Sequence, residues 1–145
     1  MSHFDIQRLS LIWDEFNAAR ASTQFALRKS KELLVEREFQ GLRHRQLQGA
    51  LEALEPTFII RLFAEFEGCL HKYLYSVGKL PKYPTASSLI DQTTSKLHID
   101  SGIQRKVHSV RRYRNKLAHI EAEEAEPVMI ADVRSNLNIF LNRLP

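Results

Sequence analysis

A single cysteine, Cys69, in 145 residues leaves the chain without an intrachain disulfide or a cysteine-based metal centre. Its apolar neighbours read as a core position, and a chain with no disulfide framework fits a reducing, cytoplasmic setting. Glycine and proline are scarce, five of each, and no segment sustains the apolar/polar alternation of a half-buried strand. Turn-rich β architectures are therefore excluded. No apolar run approaches the roughly 20 residues that cross a bilayer. The opening Met-Ser-His-Phe-Asp-Ile-Gln-Arg places polar and acidic residues where a secretory leader would be apolar. The length suits one domain, 1–145, with a real core. The expectation is a soluble, unexported all-α protein. A formal charge of +4 permits a polyanionic partner without demanding one.

What is abundant is Leu, Ala, Glu, Arg and Gln, all good helix formers. Phe4, Leu9, Ile12, Trp13 and Phe16 recur at helical spacing, followed by Phe25, Leu27, Leu33 and Leu34, which predicts a first helix from about 4 into the thirties. Ser22, Thr23 and Ser30 are places where it can break. A second helix is expected from about Leu42 to Val77, through Leu47, Leu51, Leu54, Phe58, Leu62, Phe66, Leu70 and Tyr73. Pro56 either kinks it or opens a new helix. Gly78, Pro81 and Pro84 end that stretch, and 87–94 is read as one short helical turn. Asp100 or Ser101 caps a helix running through Leu117. A last helix spans about 127–142, with Pro127 at its N-terminus and Glu123, Glu124 and Glu126 complementing its dipole.

Two of these helices carry a charge inside an apolar stripe. Ile103, Val107, Val110 and Leu117 define a buried face whose missing member is Arg114. Phe63, Leu70, Leu74 and Val77 define another, whose missing member is Glu67. An unpartnered buried guanidinium costs several kcal/mol, so Glu67 and Arg114 are expected to face each other across the helix pair. On periodicity alone, this pair fits a register pin between helices as well as a site.

Arg114 also belongs to the most informative string, Arg111-Arg112-Tyr113-Arg114-Asn115-Lys116-Leu117-Ala118-His119. Arginine is a permanently charged phosphate partner, and histidine exchanges protons near neutrality. Together they suffice to cut RNA without a metal. His108, Arg112, Asn115 and His119, at spacings of four, three and four, share one polar face. Solvent exposure alone accounts for many such faces. Arg114 and His119 are five residues apart, about 140° round a regular helix. They flank that face and can line one cleft if a second surface closes over it, such as an identical helix brought up by a two-fold axis.

The segment Arg114-Asn115-Lys116-Leu117-Ala118-His119 resembles the Arg-x4-6-His signature of HEPN domains, in which a polar residue, very often Asn, follows the Arg. The match is close over these six residues, and the helical organisation extends it loosely over most of the chain. Phe63-Ala64-Glu65-Phe66-Glu67-Gly68 resembles the aromatic-acidic stretch that many small HEPN proteins carry on an earlier helix. One departure is that Ile120-Glu121 follows His119, where these motifs often continue with glycine. The resemblance implies a bundle of about four to five helices with long antiparallel members. It also implies a homodimeric, metal-independent endoribonuclease with its site at the cleft between two copies. In that reading His119 transfers the proton, Arg114 stabilises transition-state charge and Asn115 positions a phosphate oxygen or the histidine. Arg111, Arg112, Lys116 and His108 attract the RNA backbone, Glu67 orients Arg114, and no cofactor or metal takes part. The products would be a 2′,3′-cyclic phosphate and a 5′-hydroxyl. A toxin or defence role follows, restrained by a partner such as an antitoxin of nucleotidyltransferase type.

Other readings compete with it. HEPN-like domains also serve as nucleotide-binding, RNA-binding or dimerisation modules without turnover. Arg105, Lys106, Arg111 and Arg112 on one helix suit a DNA-binding protein, but no helix-turn-helix spacing accompanies them. His44, His71, His98 and His108 are too dispersed for a metallohydrolase, and His71 and His98 read as surface or helix-end residues. Tyr73, Tyr75 and Phe66 read as core or dimer-contact aromatics rather than base-stacking platforms.

Overall fold

The computed structural model describes residues 3–33 and 44–145. The expected start of the second helix at Leu42, and Leu34 of the first, lie outside them. Within the described residues the protein is all-helical: α1 (His3–Arg28), α2 (Ser30–Leu33), α3 (His44–Ser76), α4 (Ala86–Leu97), α5 (Ser101–Ala118) and α6 (Ile130–Leu141).

The break expected in the first helix falls at Lys29, and Ser30 opens the single turn α2. The long α3 packs along α1, and α4, α5 and α6 all pack against it as well. The α1–α3 pairing is antiparallel: Arg8 pairs with Glu65 at 3.2 Å, Glu15 with Arg61 at 2.7 Å, and Phe16 meets Phe58 with ring centroids 5.5 Å apart. Pro56 neither ends nor restarts α3, which runs through it although Glu52 loses the amide that would normally reach its carbonyl.

Helix ends follow local chemistry. At the end of α3, Gly78 takes φ +64°, the Gly78 amide donates to the Tyr75 carbonyl at 3.0 Å, and the Lys79 amide donates to that of Leu74 at 2.8 Å. This is a Schellman stop, which needs the left-handed residue that glycine supplies. The segment read as one turn is a three-turn helix, α4. Thr85 and Ser88 cap its start reciprocally, the Ser88 amide donating to Thr85 Oγ1 at 3.1 Å and the Thr85 amide to Ser88 Oγ at 2.9 Å. Asp100 Oδ1 caps α5, accepting from the Gly102 and Ile103 amides at 2.7 and 3.3 Å. The last helix starts three residues later than expected, at Ile130 rather than Pro127. Its leading amide donates to Glu55 Oε1 of α3 at 3.1 Å, so a carboxylate distant in sequence, not Glu123, Glu124 or Glu126, caps it.

The core is aromatic and aliphatic. Phe63, Phe66 and Phe140 are fully buried, Phe66 meeting Phe140 edge-on at 5.5 Å and Phe63 at 5.6 Å. Leu70, Leu74, Val107 and Val110 are fully buried too, which places both charge-interrupted stripes against the core. Two apolar residues depart from the stripes. Val77, beyond the last turn of α3, is exposed, and Phe25 borders an open hollow with Leu47 and the small side chains of Ala21, Ala26 and Ala50. Tyr73 packs on the core, whereas Tyr75 is exposed. Because Phe66 joins α3 to α6, Phe66→Ala is expected to cost about 3–5 kcal/mol of stability. Denaturant unfolding, with its midpoint falling and its slope unchanged, checks this.

Candidate functional site at the end of the fifth helix

The two interrupted stripes meet. Arg114 Nη2 of α5 donates to Glu67 Oε2 of α3 at 2.6 Å, and the guanidinium carbon lies 4.6 Å from the centre of the Phe63 ring. Arg114 is thus held by a charge-assisted hydrogen bond and a cation–π contact at once, on the face of α5 that packs against α3. The Arg114 and Glu67 side chains are only 17% and 30% exposed. Burial raises the Glu67 pKa above the usual carboxylate value, and the Arg114 charge and hydrogen bond only partly oppose it. Ionising Glu67 is therefore less favourable here than in water, and Arg114 offsets part of that difference.

A measurable consequence follows from the sign of that shift. A carboxyl group whose folded pKa is raised contributes stability that is fully present below its unfolded value and lost as pH climbs through the folded value. Glu67→Gln keeps an acceptor for Arg114 but cannot ionise. Its stability relative to the parent protein is expected to rise as pH climbs above the ordinary glutamate range, about 4.3, and through the raised folded value. Paired thermal melts check this, and a difference flat with pH would contradict it.

The other expected residues gather on a different face of α5. Arg111, Arg112, Asn115 and His119 line an open hollow of about 580 Å3, with Glu121, Ala122 and Glu123 of the following loop contributing to its lining. Arg114 lies outside this lining. It is turned instead towards Glu67 and Phe63 of α3. Three members of the polar stripe, Arg112, Asn115 and His119, stay together at this hollow, and His108 leaves it. α5 ends at Ala118, and His119 is extended, with φ −136° and ψ 126°, its amide donating to the Asn115 carbonyl at 2.9 Å. Glutamates fill the next positions, and a helix continued through them would set like charge on its negative pole. The His119 ring is therefore placed by a chain turn, at an exposed corner next to a fully exposed Ile120.

His108, at the other end of the stripe, turns to α4: its Nε2 lies 2.8 Å from Asp91 Oδ1, and its Nδ1 accepts from Arg111 Nε at 3.3 Å. Arg112 Nη2 donates to Ser109 Oγ at 3.2 Å, and Arg112 also borders a neighbouring hollow of about 410 Å3 with Ser109, Glu124, Ala125, Glu126 and Pro127. Lys116 pairs with Glu124. The cations of α5 thus look onto an acidic loop. Sequence reasoning overlooked both that opposition and Asp91. The signals available were four glutamates in the seven residues after His119, and Gln104 and His108 standing one turn apart on α5, where one acceptor can serve both.

No helix among the described residues is long and apolar enough to cross a membrane, and no group of three or more His, Cys, Asp or Glu side chains among them is arranged to hold a metal ion. No protein family, curated protein or solved structure matches the chain.

Proposed function

We propose that the protein is a metal-independent endoribonuclease of HEPN type, a dimer whose cleft is built around the C-terminal end of α5. The observation that carries the reading is the exposed His119 ring sharing a hollow with Arg111, Arg112 and Asn115. A proton-transfer group, two permanent cations and an amide are what transesterification of RNA asks for. His119 takes the proton from a ribose 2′-hydroxyl or delivers one to the departing 5′-oxygen. The 2′-oxygen bonds to phosphorus as the P–O5′ bond breaks, giving a 2′,3′-cyclic phosphate and a 5′-hydroxyl. Arg111 and Arg112 hold phosphate oxygens, and Asn115 orients one of them or the histidine. Arg114, held by Glu67, reaches this chemistry through the cleft formed with a second copy, where it stabilises the charge of the transition state. DNA resists cleavage because it lacks the attacking hydroxyl. A nuclease of this kind fits a toxin or defence effector in the cytoplasm, held by a partner antitoxin of nucleotidyltransferase type.

The test is incubation with labelled single-stranded RNA in excess EDTA, followed by end-group analysis, with DNA of the same sequence alongside. Cyclic phosphate and 5′-hydroxyl ends from RNA alone are expected. One observation favours a second reading, a non-catalytic RNA- or nucleotide-binding module: the pairing of Lys116 with Glu124, and the placement of Glu121 and Glu123 at the hollow, offset part of its positive charge. Intact RNA after incubation with a folded dimer would favour the module.

A further inference from the structure

Both ring nitrogens of His108 are engaged, and the donor rules fix which way. A guanidinium Nε–H can only donate, so His108 Nδ1 accepts from Arg111 at 3.3 Å. The ring proton therefore sits on Nε2 and is donated to Asp91 Oδ1 at 2.8 Å. Asp91 is itself fixed: Gln104 Nε2 donates to the same oxygen at 2.8 Å, and Ser87 Oγ lies 3.5 Å from the other. His108 is largely shielded, at 16% side-chain exposure, while Arg111 extends from it to the hollow that holds His119.

The result is a directed chain from α4 through α5: carboxylate, imidazole, guanidinium. Its last member is tethered through Nε to an uncharged nitrogen. Among the described residues Arg111 forms no ion pair with Glu121 or Glu123, although both line the same hollow. Its two Nη groups and its charge remain for a ligand. An arginine side chain carries about 2 kcal/mol of rotamer entropy, so a tether that fixes it beforehand removes part of the cost of binding.

We infer that Asp91 and His108 are positioning residues that hold Arg111 so that its Nη groups grip a phosphodiester of bound RNA beside His119. Neither touches the RNA; both act through Arg111. This rests on the ribonuclease reading of the hollow.

The probe is a 2′-O-methyl RNA oligomer, which lacks the attacking hydroxyl and so is bound without being cut, titrated by fluorescence anisotropy at several salt concentrations. Arg111→Ala is expected to weaken binding roughly tenfold and to reduce the salt slope by about 0.7, the loss of one phosphate contact. Asp91→Ala and His108→Ala should reproduce most of that loss, and Asp91→Ala with Arg111→Ala should bind no more weakly than Arg111→Ala alone. Asp91→Asn, whose amide oxygen still accepts from His108 Nε2–H, should restore most of the affinity. It also guards against an alanine variant that fails to fold. A merely structural role predicts the opposite pattern: additive losses, and Asn no better than Ala. Additive losses, or Asp91→Ala binding like the parent protein, would overturn the inference. If Arg111→Ala binds like the parent protein while the parent cleaves RNA in EDTA, the inference alone fails. If the parent neither binds nor cleaves RNA, the ribonuclease reading fails and takes the inference with it.

Discussion

His119→Ala is expected to lower RNA cleavage by roughly 10²- to 10⁴-fold, the usual contribution of a positioned proton-transfer group, while leaving the fold almost untouched. The second half of that expectation comes from where the ring is. His119 lies outside α5 and is exposed, and the turn it occupies is held by its main chain, its amide donating to Asn115 and its carbonyl accepting from Ala122 at 3.3 Å. Alanine adopts the same extended conformation, so unfolding free energy should stay within about 0.5 kcal/mol of the parent value. Single-turnover cleavage assays and denaturant melts on the same preparation check the two halves. Loss of activity with loss of fold would make the residue structural, and retained activity would remove His119 from the chemistry.

Arg114→Ala is expected to fail on both counts. Removing the guanidinium leaves the Glu67 carboxylate partly buried without its partner and uncovers the face of Phe63, a loss of about 1–3 kcal/mol. That loss has a ceiling, because a carboxyl group already raised by burial rises further once the neighbouring charge is gone and then binds a proton instead of staying ionised. The destabilisation should thus be greatest at alkaline pH and shrink towards acid. Cleavage should fall by about 10²- to 10³-fold if the guanidinium stabilises transition-state charge. The double variant Arg114→Ala with Glu67→Gln separates the two effects. It removes the stranded carboxylate and is expected to regain most of the stability and none of the activity. Recovery of both in thermal melts and cleavage assays would make Arg114 a helix pin only.

The same pair shows what a sequence discloses. A charge inside an apolar period is legible because it breaks a rule that burial enforces, and two such breaks of opposite sign on neighbouring helices identify each other. Arg114 and Glu67 were readable in this way. Asp91 was not, since an exposed carboxylate breaks no apolar period and its partners Gln104 and His108 lie on another helix. α4 itself was read short because Ser87, Ser88, Thr93, Thr94 and Ser95 have little helix preference of their own. Its helicity comes from the Thr85 and Ser88 cap and from burial of Leu89 and Ile90 against neighbours that are distant in sequence. The end of α5 was readable too, since a helix expected through Leu117 runs to Ala118. The extended turn at His119 was not, since no glycine or proline stands beside it to announce a turn. Glu55 as the cap of α6 was out of reach, because a hydrogen bond between residues 75 positions apart leaves no local pattern.

That last bond also bears on the order in which the protein comes together. α5 and α3 need only their own segments to meet, whereas the hollow's acidic lining lies on the loop between His119 and Ile130, whose far end is fastened by Glu55 and by the insertion of Phe140 beside Phe66. Contacts of such long sequence separation carry the largest closure entropy and tend to form late. The loop's near half needs no such closure, because Glu124 meets Lys116 only eight positions away, so the acidic screen over the cations of α5 does not wait for the distant anchor at Glu55.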